Sequence, residues 1–382
     1  MKDWFRLSHM SAGFTTVLVG YTSSVAIVIQ AATTAGASPA QLESWLFILG
    51  IAMGLSTILL SWMQKSPVVT AWSTPGAAML IAVVGQYDIA TNIGAFLLTG
   101  LLSFLTGLIK PISTVLRKVP PQLATAMLGA ILLPFCLGSF ETINTAPYIF
   151  ALMFGVFLIT KRLMPNYTML SLLITGVAIA LFVNTGVTKS FELAIAQPTF
   201  VTPIFDMSAI LNVTIPLYLV TMLSQNLPGL AVMQSYKYEA PVKPLFTVTG
   251  GTTVLSAPFG GFAINLAAIT AAICMTEEVD SDKSQRYRAA IWAGVFYIVA
   301  GLFATSVVAI FLSFPPEVTK LLAGLALLGT LTMCLQSSFS DSKYREPALF
   351  TFLIALSGVS LFGVNSILLG LVVGLMYLKI VK

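Results

Sequence analysis

SPVVTAWSTPGAAML (66–80) and TTVLSAPFGGFAINL (252–266) are the two stretches on which the fold turns. Each has a run of small or β-branched residues, then Pro and Gly, then a short apolar segment. Proline pushes the residue before it towards extended geometry and suits the first turn of a helix. Each stretch therefore reads as a short extended piece, 67–74 and 252–258, entering a half-helix. The two lie 183–186 residues apart. Irregular backbone at membrane depth survives only where it is buried in protein or lines a cavity.

Around these stretches the chain repeats itself. Gly100 and Gly107 recur 194 positions later as Gly294 and Gly301, and Pro120-Pro121 recurs 195 later as Pro315-Pro316. Gly129, in QLATAMLGAILL, returns as Gly324 in EVTKLLAGLALL, and Pro147 and Phe150 return as Pro347 and Phe350. The first Pro-Pro follows Arg117 and Lys118, whereas the second has no base beside it. A repeat that changes its charged side predicts an inverted-topology repeat, the architecture of secondary transporters.

Composition agrees. Of 382 residues 57% are hydrophobic and 9% charged, against about 25% charged in a soluble domain. The chain reads as an all-α polytopic membrane protein of about fourteen spans, seven in each copy. Residues 1–187 form the first copy, 188–207 an external linker with room for a short surface helix, and 208–382 the second. With both termini in the cytoplasm and alternating spans, seventeen of the nineteen Lys and Arg fall inside; only Lys189 and Lys320 fall outside. That is the positive-inside signature of a bacterial inner-membrane protein, and it leaves no basic stripe for nucleic acid. Cys136, Cys274 and Cys334 are isolated in apolar runs and read as packing. His9, the sole histidine, reads as a surface residue ahead of the first span. No metal cluster, phosphate-binding loop or nucleophile–base pair points to an enzyme, and no cofactor is called for.

A half-helix that starts inside the membrane offers unpaired N–H groups and the positive end of its dipole, which suit an anion. The candidates are the amides of Gly76, Ala77, Gly261 and Phe262, with Thr74, Pro75 and Gly260 shaping the two starts. Polar residues within other spans converge on the same region. Tyr21 and Ser23 lie in the first span, Gln225 and Asn226 in the eighth, and Asn265 in the tenth. Intramembrane amides usually face the protein interior. No Asp or Glu falls clearly inside a span, so a coupled proton would travel on a carboxylate substrate or on Glu141.

SQNLPGLAVMQSYKY (224–238), APFGGFAINLAAITAAICM (257–275) and TAWSTPGAAML (70–80) resemble the benzoate/proton symporter family, BenE. The resemblance covers nearly the whole chain and relates it in fold to nucleobase and sulfate permeases. It implies seven-plus-seven inverted repeats, a core domain of spans 1–4 and 8–11, and a gate domain of spans 5–7 and 12–14. It also implies strand-first third and tenth spans, elevator-type alternating access and often a homodimer. The implied activity is uptake of benzoate or a similar small aromatic carboxylate with protons. The carboxylate would sit between Thr74–Ala77 and Gly260–Phe262, oriented by Gln225, Asn226 and Asn265 and flanked by Phe262 and Tyr21. Nucleobase permeases carry acids on spans 8 and 10 where this chain has Gln225, Asn226 and Asn265. A heterocycle permease and a passive anion channel remain the alternatives.

Overall fold

The computed structural model describes residues 5–116, 118–182 and 194–380. The chain is helical almost throughout. Its first half runs α1 (Leu7–Thr22), α2 (Val25–Thr34), α3 (Pro39–Gln64), β1 (Thr70–Trp72), α4 (Thr74–Val83), α5 (Ile89–Leu108), α6 (Lys110–Leu116), α7 (Pro121–Thr145), α8 (Pro147–Leu163) and α9 (Thr168–Phe182). The second half runs α10 (Met207–Ser235), α11 (Val242–Ser256), β2 (Ile264–Leu266), α12 (Ala268–Ile273), α13 (Tyr287–Leu302), α14 (Ala304–Leu312), α15 (Pro316–Ser338), α16 (Arg345–Ser357) and α17 (Ser366–Ile380). Among the described residues five helices are long and apolar enough to cross a membrane. They become seven if α1–α2, bent by 40°, and α13–α14, bent by 61°, each count as one span.

Side-chain caps set several of the starts. Ser38 and Gln41 form a reciprocal capping box ahead of α3, and Asp88 accepts from the Thr91 amide ahead of α5. Each cap satisfies amides that the first turn leaves without a partner.

The packing has the symmetry of the repeat. The principal helix contacts are α3 on α13, α5 on α11, α7 on α15, α1 on α13, α7 on α16, and the hairpins α8–α9 and α16–α17. α3 and α11 hold matching places in the repeat read from the sequence, as do α5 and α13, so exchanging the halves exchanges the α3–α13 and α5–α11 contacts. The recurring glycines lie in these seams. A Cβ on Gly100 would come within 2.8 Å of the Val254 nitrogen, and one on Gly301 within 2.8 Å of the Phe47 oxygen. Small residues let helix backbones approach where lipid supplies no hydrophobic drive.

The tenth span departs from the sequence reading. Residues 252–256 belong to helix α11, not to a strand, and Ala257–Phe259 form a 3-10 turn. Within this stretch hydroxyls bond back along the helix, Thr253 to the Thr249 carbonyl at 2.9 Å and Ser256 to that of Thr253 at 3.2 Å. Gly260 then turns in the left-handed region (φ 97°), where an added Cβ would run into Trp45. The strand follows at 264–266 and the half-helix at Ala268, not at Gly260–Phe262. The first span is also broken, between Thr22 and Val25. The described part of the linker, 194–206, contains no helix. It is a strap bonded through the Ala196 amide to Leu302, Thr199 to Ser44, Val201 to Pro258 and Ile204 to Ala90.

Candidate functional site

β1 and β2 form an antiparallel ladder, Thr70 opposite Leu266, Ala71 opposite Asn265 and Trp72 opposite Ile264. It is extended by the Ser73 amide to Ala263 O (3.1 Å) and the Ala267 amide to Val69 O (2.9 Å). A two-stranded sheet inside a membrane needs partners for its outer edges, and neighbouring helices supply them. On β1 the Thr70 amide donates to Thr57 Oγ1 (2.9 Å) and that of Trp72 to Met53 Sδ (3.0 Å), both on α3. On β2 the Ile264 amide donates to Thr253 Oγ1 of α11 and the Leu266 amide to Asn226 Oδ1 of α10, both at 3.0 Å. Asn226 is therefore occupied by β2, and its Nδ2 lies 3.3 Å from Met222 Sδ.

The half-helices leave this ladder at Thr74 and Ala268. Their separation, 268 − 74 = 194, equals that of the glycine pairs. The two starts differ chemically. At α4 the Gly76 amide donates to Ser73 Oγ (3.0 Å), the Ala77 amide to Ser73 O (2.8 Å), and Pro75 has no N–H. At α12 the capping position is Ala267, which has no side-chain acceptor. The Gly261 amide is spent on Ser256 O (3.0 Å). Phe262 is fully buried, 6.0 Å from the rings of both Trp45 and Phe96, and flanks neither half-helix start.

Two other elements border the α12 start. At the α1–α2 break Ser23 and Ser24 hydroxyls donate to Gly20 O, and Trp72 Nε1 donates to Ser24 Oγ (2.8 Å). The Tyr21 ring lies 5.0 Å from that of Trp72, and its buried hydroxyl has no protein partner. A Cβ on Gly20 would lie 3.6 Å from Thr270 of α12. On the other side, α10 carries Gln225 and Asn226 in a π-helical segment, Met222–Asn226; such bulges often mark functional sites. Asn265 is fully buried, its Nδ2 bonded to Ala263 O and its Oδ1 unpartnered. Alternation along the strands puts Asn265 on the ladder face opposite Trp72. Asn265 and the Tyr21–Trp72 pair thus do not share one face.

Thr74, Ala268 and Gln225 keep partial exposure, while Ala77 and Asn265 have none. Two cavities, of about 290 and 390 Å³, lie elsewhere, beside Lys343, Arg345 and Tyr377 and beside Pro111, Leu116 and Tyr218. Among the described residues no group of three or more His, Cys, Asp or Glu comes together. Sequence reasoning missed Ser73 and the α12 start, although the offset of 194 applied to Thr74 points straight to Ala268. It also misplaced His9, which is fully buried, 2.9 Å from Asp280. The helix starts at Leu7, so His9 lies in its first turn rather than ahead of it.

Comparison with known proteins places this architecture. A family model described as "Benzoate membrane transport protein" matches residues 3–380. The chain is 41% identical over 363 residues to "Inner membrane protein YdcO" of Escherichia coli (strain K12), covering 95% of this chain and 93% of that one. It is 36% identical over 375 residues to "Benzoate membrane transport protein" of Acinetobacter baylyi, covering 98% and 95%. Among solved structures it is similar in fold to the transmembrane domain of the cyanobacterial bicarbonate transporter BicA, with a TM-score of 0.65 at 14% identity over 97% of both chains. The chain is a membrane transporter rather than an enzyme, and it belongs to the benzoate membrane transport protein family, BenE.

Proposed function

We propose that the protein takes up benzoate or a similar small aromatic carboxylate together with protons, by alternating access across the bacterial inner membrane, with both termini in the cytoplasm. The observation that carries the reading is the uncapped start of α12. Thr270 of its first turn lies beside Gly20 of α1, and β2, which leads into it, is bonded to Asn226 of the π-helical segment of α10. A carboxylate satisfies the amides of such a start, and a helix start stabilises a negative charge by about 0.3–1 kcal/mol, or up to ~2 when partly buried. Gln225 orients the carboxylate, and Tyr21 presents its ring face and a hydroxyl donor. The benzoate reading draws on the name of the Acinetobacter relative, and the inner-membrane reading on that of the Escherichia coli relative.

The two helix sets would move against each other. Spans 1–4 and 8–11 form the core that carries the site, and spans 5–7 and 12–14 the gate.

Labelled benzoate uptake into proteoliposomes, with and without an inward proton gradient, tests this. Accumulation above equilibrium under the gradient is the expected result. Saturable uptake of nucleobases in its place, or unsaturable current without accumulation, would refute it in favour of a heterocycle permease or an anion channel.

A further inference from the structure

The chain has one histidine, and among the described residues Asp280 is the one carboxylate that the fold buries. Lying 271 positions apart in sequence, the two meet: His9 Nε2 is 2.9 Å from Asp280 Oδ2, with side-chain exposures of 0% and 2%. Arg6 Nη1 approaches the same oxygen at 2.6 Å, and the Asp282 amide donates to Oδ1 at 2.9 Å. Burial alone would raise the Asp280 pKa. The Asp282 amide, Arg6 and His9 outweigh it and hold the carboxyl below its ordinary range.

An ionised Asp280 settles the His9 tautomer. Nε2 carries hydrogen and donates to Oδ2, which leaves Nδ1 as a bare acceptor. Nδ1 is buried and has no partner. A proton can therefore bind Nδ1 without breaking the bond to Asp280, and the resulting imidazolium sits against a carboxylate.

His9 also stands at one end of a continuous seam. Arg6, His9, Gly13, Thr16 and Gly20 follow one another at spacings of three and four, one face of α1. Thr16 Oγ1 is 3.2 Å from Cys274 Sγ and 3.4 Å from the Thr270 carbonyl of α12, and a Cβ on Gly20 would meet Thr270 and the Tyr297 hydroxyl. From His9 to Gly20 the helix climbs about 16 Å. The seam thus joins the His9–Asp280 pair to the half-helix proposed to hold the substrate. The other ionisable groups at this corner are Glu277, Glu278, Asp282 and Lys283 in the loop after α12. Arg286, Tyr287 and Arg288 come from the start of α13, and Tyr238, whose hydroxyl donates to Lys283 O, from the loop after α10. Arg286 binds the carbonyls of Asp280 and Met275. Glu141, the acid singled out in the sequence, is exposed.

We propose that His9, held on Asp280, carries the co-transported proton at the cytoplasmic end of this seam. The inference rests on the proton-coupled reading above. In the step, a proton released as the carboxylic acid ionises bonds to Nδ1 and then leaves Nδ1 for cytoplasmic water; Asp280 stays ionised throughout.

The test uses purified full-length protein in proteoliposomes with labelled benzoate, comparing wild type, His9→Gln and Asp280→Asn. Gradient-driven accumulation needs net proton movement, whereas counterflow at equal pH does not. Both variants are expected to lose gradient-driven accumulation by about a hundredfold and to keep counterflow within about twofold. A His9→Gln protein that accumulates benzoate like wild type overturns the proposal. So does one that loses counterflow to the same extent, which would make His9 a purely structural tie. Should the variants fail to fold, the single histidine allows a second measurement on wild type by imidazole nitrogen NMR. An Nδ1 resonance that shifts when benzoate is added supports the role, and one that does not respond overturns it. Wild type with counterflow but no gradient-driven accumulation would instead remove proton coupling itself.

Discussion

The asymmetry between the two half-helix starts makes a sharp prediction. Ser73 caps α4 by accepting from the Gly76 amide three residues on. Ala267 stands at the corresponding place before α12, and Thr270 corresponds to Gly76. Ala267→Ser adds one oxygen at a nearly buried position and installs the missing cap. A Ser cap is worth about 1 kcal/mol, with a range of about 0.5–2. The substrate must displace that bond to reach the same amide. Apparent affinity should then fall about fivefold, within a window of about two- to twenty-five-fold at 1.4 kcal/mol per decade. The same bond stabilises the empty protein, so thermal stability without ligand should rise while affinity falls. Initial uptake rates over a benzoate series and melts with and without benzoate read both changes. Unchanged affinity in a protein whose melting temperature has risen would show that the α12 amides do not hold the substrate.

Asn226→Ala should cost about 1–3 kcal/mol, because it leaves the buried Leu266 amide without a partner; Asn226→Asp keeps an acceptor and should recover part of the melting temperature. Gly301→Val pushes atoms into the α3 backbone, where a Cβ already lies 2.8 Å from Phe47 O and 3.0 Å from Gly50 Cα. Overpacking of about 1–3 kcal/mol should lower the melting temperature and yield, with benzoate affinity unchanged in the protein that folds. Because the folded Asp280 carboxyl is held below its ordinary value of about 3.9, its stabilisation is present above that value and is lost as pH falls through the lowered one. Melts in detergent across that acid range should show a steeper loss in wild type than in Asp280→Asn.

The fold was legible because membrane depth leaves few options and the repeat carries its own ruler. Gly100 and Gly294 gave the offset, and their close helix contacts explain why both must be small. The tenth span was misread because Thr252–Ser256 looks β-prone when judged by side-chain shape alone. In an apolar setting those hydroxyls bond their own helix, and Pro258 ends it. At the offset of 194 Pro75 corresponds to Ile269, so Pro258 is not its counterpart: Pro75 opens α4, whereas Pro258 lies in the turn that follows α11. The α1–α2 break has no Pro to announce it; there the Ser23 and Ser24 hydroxyls bond Gly20 O. Of the candidate residues, Thr74 opens α4 and Tyr21 packs on Trp72 of β1 ahead of it, whereas Gly260, Gly261 and Phe262 lie in the turn before β2. His9 was illegible because its burial depends on a loop 271 residues away, and nothing local encodes that meeting.

The β1–β2 ladder has a consequence for assembly. Each strand finds its ladder partner in the opposite copy, so a single copy made alone would leave a bare edge in hydrocarbon at several kcal/mol per unsatisfied group. Two copies inserted in opposite orientations could satisfy one another, as the halves of this chain do. The polypeptide is in this sense a covalent version of an antiparallel pair. Its halves, made as separate chains, should be unstable singly and recover a folded transporter when made together.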